Sequence, residues 1–142
     1  MTASSLFFTM AAIGIAETAY LIGERYASRK PICPIGGGCA QVLESKYNKL
    51  LGVYNDVLGL VFYLGVSTLS AIIVVGIGPL PLLNQIVSAA TLVALLLSVR
   101  FFYLQWRVIR AWCFWCLLSS LTILIMSIIL LTHAFILTPY AN

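Results

Sequence analysis

Four apolar runs, each about as long as a bilayer is thick, divide this sequence of 142 residues. A hydrocarbon core of about 30 Å takes about 20 helical residues at a rise of ~1.5 Å each. The runs are Leu6 to Ile22, Val57 to Gly76, residues 84–104, and Cys113 to Phe135. In lipid, every backbone N–H and C=O must pair within its own segment, so such runs are helices. Composition agrees: 62% of the residues are hydrophobic and 8% are charged. A soluble domain of this length cannot bury that much apolar surface. The expected fold is an all-α, four-helix transmembrane bundle, one domain over residues 1–142, with a long first loop at 23–56. The first run lacks a charged leader and a small-residue cleavage site, so it reads as a span rather than a signal peptide.

The connections are unequal. GIGPLP, Gly76 to Pro81, is a tight turn made of helix breakers. The link at 105–112 is also short, whereas the loop at 23–56 holds most of the polar residues. An up-and-down path puts the long loop and the 105–112 link on the same side, so Cys113 faces the loop. Within the loop, Leu43, Tyr47, Leu50, Leu51 and Tyr54 recur at helical spacing opposite Glu44, Ser45, Lys46, Asn48 and Lys49. That pattern predicts a short amphipathic helix at the interface.

All four cysteines therefore share one face. Cys33 and Cys39 lie in the loop, and Cys113 and Cys116 open the last span as a CxxC. Three pairings are possible, and sequence distance favours the two near ones. Pro34 and the glycines Gly36, Gly37 and Gly38 let the PIGGG segment fold back, so a Cys33–Cys39 ring can close. A helix N-terminus favours a thiolate at Cys113, and Arg107 and Arg110 add positive potential. Cys113 is expected to be the better exposed thiol, with Cys116 one turn deeper towards lipid. Such graded depth suits a relay between a protein and something dissolved in the membrane. Two competing readings make the chain a non-enzymatic membrane protein. One is a four-cysteine zinc site, against which the PIGGG spacing and the lipid-bordering CxxC argue. The other is a set of permanent disulfides, which membrane bundles seldom need.

The segments CPIGGGC, VLESKYNKLLGV, NDVLGLVFY and WCFWC together resemble the vitamin K epoxide reductase family in its short bacterial or archaeal form, over Leu6 to Leu131. The resemblance implies a four-helix bundle enclosing a quinone (ubiquinone, menaquinone or a relative) as electron acceptor, with no metal. By residue, Cys113 and Cys116 match the redox-active CxxC, and Cys33 and Cys39 match the loop pair. Ser45 matches a hydroxyl residue after the second loop cysteine. Asn55 matches an asparagine that contacts the quinone in vertebrate members, and Cys116 is the thiol expected beside that quinone. Tyr54 stands where the family often has proline, and Ser120 stands where vertebrate members have an aromatic residue, so no vertebrate-like epoxide pocket is expected. Some bacterial members carry a fused thioredoxin-like domain. No further CxxC follows here, so the expected electron donor is a separate thioredoxin-fold thiol protein. Electrons would pass from it through Cys33 and Cys39 to Cys113 and Cys116, then to the quinone, generating protein disulfides. A second family of quinone-linked disulfide oxidases also has four spans, but places its CxxC in the first loop, whereas here it comes last.

Two charges fall inside spans, Glu17 in the first and Arg100 in the third, at similar depth. An unpaired charge at the bilayer centre costs about 2.5–3.5 kcal/mol on insertion scales, so the two are expected to pair. Trp106, Trp112, Phe114 and Trp115 read as an interfacial aromatic belt. All 8 Lys and Arg residues lie on the long-loop side: Arg25, Arg29, Lys30, Lys46, Lys49, Arg100, Arg107 and Arg110. The positive-inside rule then places the loop and the CxxC at the cytoplasmic face of the cell membrane. The resemblance implies the extracytoplasmic face, where most members act. Cytoplasmic disulfides are rare outside hyperthermophiles, and the charge bias is given the greater weight. Single cysteines at positions 4 and 28, in a background lacking the native thiols, test this in intact cells. A membrane-impermeant maleimide should label the Ser4→Cys protein and spare the Ser28→Cys protein; the reverse pattern would place the loop outside.

Overall fold

The computed structural model describes residues 3–34 and 37–137. Gly36, one of the glycines invoked for ring closure, lies outside the described residues. Four long helices run α1 (Ala3–Tyr26), α3 (Asn55–Val75), α4 (Leu80–Tyr103) and α5 (Phe114–Leu137). All four are long and apolar enough to cross a membrane, which makes this a multi-pass membrane protein. Each of the four helices overruns its sequence-predicted span at one end or both. α4 continues through a π-helical turn, Leu104–Ile109, to the irregular residues before the CxxC. The long loop carries a short helix, α2 (Cys39–Leu43), a 3-10 turn at Lys46–Asn48, and two short strands, β1 (Lys49–Leu50) and β2 (Val53–Tyr54).

The single amphipathic helix expected around Leu43–Tyr54 is not what forms. α2 stops at Leu43, where the Ser45 hydroxyl donates to the Val42 carbonyl at 2.7 Å and the Asn48 amide donates to the Leu43 carbonyl at 2.8 Å. These side chains take over carbonyls that a continuing helix would use. The chain then turns at Leu51 (φ 54°) and Gly52 (φ 81°), and Lys49 pairs with Tyr54 and Leu50 with Val53 in an antiparallel hairpin. Two successive positive φ values are the signature of a tight hairpin turn. The apolar spacing is shared by helix and hairpin alike; the turn decides between them. Leu51, counted on the apolar face of the predicted helix, sits at the hairpin tip and is 97% exposed.

The bundle centre is built from Phe7, Ala11, Tyr63, Val66, Val87, Ile123 and Met126. Large apolar side chains such as Phe8, Val61, Leu92 and Leu131 point outward, as the lipid solvent requires. With lipid outside as apolar as the core, small residues that let helices approach closely gain weight. Gly14 on α1 shows this. A Cβ there would lie 2.3 Å from the ring of Tyr63 on α3. The Tyr63 hydroxyl crosses to α5, 2.8 Å from Ser119 Oγ and 3.2 Å from the Ser119 carbonyl. One tyrosine thus joins three helices, and it fits only because residue 14 has no side chain. Gly14→Leu should lower stability by about 1–3 kcal/mol through overpacking. Gly65→Ala, where an added Cβ meets nothing within 4 Å, should not. Thermal unfolding in detergent compares the two.

Candidate thiol site

Cys113 lies just ahead of α5 and caps it. Its carbonyl accepts the Leu117 N–H at 3.0 Å, and its sulfur accepts the Cys116 N–H at 3.4 Å. A sulfur at this position satisfies one of the orphan donors of a helix start, and the free N–H groups there favour negative charge. The Cys113 thiol is accordingly pushed below its ordinary range. The hydrogen bond from the Cys116 thiol is the main cause, burial opposes it, and the Cys116 and Trp115 backbone N–H groups assist. Arg107 and Arg110, expected to supply the positive potential, are exposed and contribute no part of the shift.

The expected order of exposure is reversed. Cys113 is 0% exposed, and Cys116 is only partly buried. The loop is the reason. Cys39, Val42, Ala111 and Cys113 form one buried cluster, against which Cys33 and Cys116 pack. Gly38 makes the docking possible: a Cβ there would stand 2.8 Å from the Trp112 carbonyl oxygen. Gly37, at φ 64°, supplies the left-handed turn before it. Cys33 and Cys39 are joined as a disulfide with Cα atoms 5.9 Å apart. Cys39 is buried against Cys113, and Cys33 is half-exposed.

Further contacts pin the loop. The backbone of Ile32, next to Cys33, is held on both sides. Its N–H donates to the Tyr20 hydroxyl at 3.1 Å, and its carbonyl accepts from the Trp115 indole at 2.7 Å. The two rings pack 4.6 Å apart. Trp115 is therefore a latch between α1, α5 and the loop, whereas Trp106 and Trp112 remain exposed as a belt would be. At the loop's far end, Arg25 on α1 forms an ion pair with Asp56 on α3, and its guanidinium sits 3.9 Å from the Tyr54 ring centroid.

Gln105, in the π turn, is 0% exposed. Its Oε1 accepts the Cys113 N–H at 2.9 Å, which fixes the backbone of the cysteine. Nothing in the sequence pattern singled out Gln105, and Gly38 stood out for closing the Cys33–Cys39 ring, not for seating the loop against Trp112. The only available signal was a polar residue and a third glycine beside the cysteines.

A cavity of about 160 Å³ adjoins the CxxC, close to the ~150 Å³ that holds a benzene ring in a protein core. Its walls include Cys116, Trp115, Asn55, Glu17 and Arg100, and residues 47–50 of the loop form part of its edge. Asn55 Nδ2 donates to the Tyr47 carbonyl at 3.4 Å. Ser45 lies apart, lining a different cavity, with its hydroxyl engaged at Val42. The expected Glu17–Arg100 pair does not form. Glu17 instead receives the Thr122 hydroxyl at 3.1 Å, and Arg100 is exposed, its long stem carrying the charge outward. Among the described residues no three His, Cys, Asp or Glu side chains group as metal ligands.

The Cys116 thiol is the main source of the Cys113 shift, and this can be checked directly. In the reduced protein, the thiolate absorbance of Cys113 should titrate below the free-cysteine range, and Cys116→Ala should move it upward.

A family model described as "Vitamin K epoxide reductase family" matches residues 5–131, which include all four cysteines. The Arabidopsis thaliana protein named thiol-disulfide oxidoreductase LTO1 is 45% identical over 56 residues. That stretch is 39% of this chain and 15% of the plant protein, so the chain matches only a small part of that relative. The family match takes in all of the loop and the CxxC, and most of each spanning helix. This chain belongs to the vitamin K epoxide reductase family.

Proposed function

We propose that this protein is a membrane thiol:quinone oxidoreductase that generates disulfides in other proteins. The observation that carries the reading is the shared burial of Cys39 and Cys113, with Cys116 on the wall of a ring-sized cavity. Family membership and the name of the plant relative support thiol chemistry at these cysteines. The quinone, bound in that cavity, supplies the oxidising potential and accepts two electrons.

The chain's own residues do the rest. A thiolate of a separate thioredoxin-fold protein attacks Cys33, the more exposed half of the loop disulfide, and Cys39 leaves as thiolate. Cys39 then attacks Cys113 of the oxidised CxxC, forming a transient Cys39–Cys113 bridge and releasing Cys116. The leaving thiolate of Cys33, freed in turn from the partner, displaces Cys113 and re-forms the loop disulfide. The CxxC is left reduced, with Cys116 facing the cavity. Exchange needs a thiolate and in-line access to the target sulfur. The hydrogen bonds that lower Cys113 also make it a good leaving group, because a lower leaving-group pKa speeds exchange. The docked loop covers Cys113, so electrons enter by way of the loop rather than by direct attack from solvent. Asn55 on the cavity wall is the hydrogen-bonding residue this reading places against a quinone oxygen.

Treated with a mild thiol oxidant such as diamide, the double variant Cys33→Ser, Cys116→Ser should accumulate a Cys39–Cys113 disulfide, seen by peptide mapping under non-reducing conditions. Cys116→Ser alone should abolish quinone reduction. Gly38→Val, which pushes the loop off Trp112, should slow formation of the bridge by at least ~10-fold, as positional errors near 1 Å cost about 100-fold in rate. A Cys33–Cys113 bridge in the Cys116→Ser single variant, which keeps both loop cysteines, or a Cys39–Cys113 bridge formed equally fast in the Gly38 variant, would mean the order of thiols is wrong.

A further inference from the structure

Glu17 is a carboxyl buried within spanning helix α1; unlike Asp56, buried in the first turn of α3 and ion-paired with Arg25, it has no cation beside it among the described residues. It is 4% exposed. Thr122 on α5 approaches Oε1, but Oε2 is buried without a hydrogen-bond partner among the described residues. A structural role accounts poorly for that arrangement. A carboxyl retained to join α1 and α5 would have both oxygens engaged, and leaving one bare in a dry interior costs stability. The ion pairs among the described residues are Arg25–Asp56 and Arg29–Glu24, so no cation holds Glu17 in its charged form. Without one, a carboxyl in this setting carries a proton and has an O–H to donate. It lines the same cavity as Cys116.

The chemistry in that cavity has need of such a group. From the thiolate form of Cys113, closing the Cys113–Cys116 disulfide yields two electrons and one proton, that of the Cys116 thiol. Converting a quinone to a hydroquinone takes two electrons and two protons. We propose that Glu17 is the hydrogen-bond and proton donor to a carbonyl oxygen of the quinone, a further catalytic residue of the reaction proposed above. The balance is then complete. Cys113 thiolate, Cys116 thiol, quinone and protonated Glu17 give the Cys113–Cys116 disulfide, hydroquinone and Glu17 carboxylate, with one negative charge on each side. Glu17 regains its proton from water between turnovers. Thr122 is a positioning residue, holding Oε1 so that Oε2 is left for the acceptor. The inference rests on the quinone reading of the cavity.

Two substitutions separate the hydrogen bond from the proton. Glu17→Gln keeps the shape and an N–H donor but has no proton to give. Its affinity for a short-tailed benzoquinone, followed by quenching of tryptophan fluorescence (Trp115 lines the cavity), should stay within about 2-fold of the parent. Its rate of quinone reduction should fall about 100-fold, the lower end of what general acid catalysis contributes. Glu17→Ala should lose the same rate and also bind the quinone about 5–10-fold more weakly, the range expected for one hydrogen bond. Infrared spectra of the unsubstituted protein, carrying isotope-labelled glutamate, should show the carbonyl stretch of one protonated glutamic acid. That measurement holds even if a variant folds poorly. A Glu17→Gln protein as fast as the parent, unchanged quinone affinity in Glu17→Ala, or no protonated glutamate band would overturn the assignment. If the unsubstituted protein neither binds the benzoquinone nor is oxidised by it, the quinone reading itself fails, and this inference with it.

Discussion

The Arg25–Asp56 ion pair is the constraint on which the site depends. It joins the last turn of α1 to the first turn of α3, the two ends of the long loop. Each charge also suits its helix terminus, a cation at the C-terminal end and an anion at the N-terminal end. Asp56 further accepts the Val57 N–H at 2.9 Å, and Arg25 covers the ring of Tyr54. Loop closure of this kind removes conformational freedom that the loop would otherwise keep. What lies between is a lid with fixed ends rather than a free segment, and its cystine can rest against Cys113 in one place.

That placement explains why a dithiol can stand where water meets lipid. A thiolate exposed to water would react with any oxidant, and one buried in lipid would not form. Cys113 avoids both outcomes. It is covered by the loop, yet its charge is supported by the Cys116 thiol and by N–H groups at the helix start. Gln105 ties its backbone from the preceding turn. π-helical turns often occur at functional sites, and here the extra residue in the turn brings the Gln105 amide under the CxxC.

Lipid also explains how polar side chains are treated in the bundle. Most hydroxyls bond back to their own helix, as Thr18 does to Gly14, Thr91 to Val87 and Ser127 to Ile123, each at 2.8 Å. These residues need no partner from elsewhere. Glu17 cannot do the same, and Arg100 has a stem long enough to leave. Equal depth was therefore a poor guide to pairing, because depth says nothing about which way each side chain can reach.

The fold class, the four spans, and the gathering of all four cysteines on one face were legible in the sequence. Those features follow from run length and from the parity of an up-and-down path, and lipid leaves an apolar run no alternative to a helix. The loop's internal structure was not legible. Leu43, Tyr47, Leu50, Leu51 and Tyr54 have a spacing that a helix shares with a turn and hairpin, and the side-chain contacts of Ser45 and Asn48 with the Leu51–Gly52 turn chose the latter. Nor could the relative exposure of Cys113 and Cys116 be read from their order, since a residue far away in sequence, Gly38, sets how closely the loop approaches. Local periodicity and hydropathy act through neighbours along the chain, so the sequence by itself determined the helices and the side on which the thiols lie. Which thiol is covered, which lines the cavity and which carboxyl joins it depend on packing between segments that meet only when the bundle closes, and the tertiary structure alone decided them.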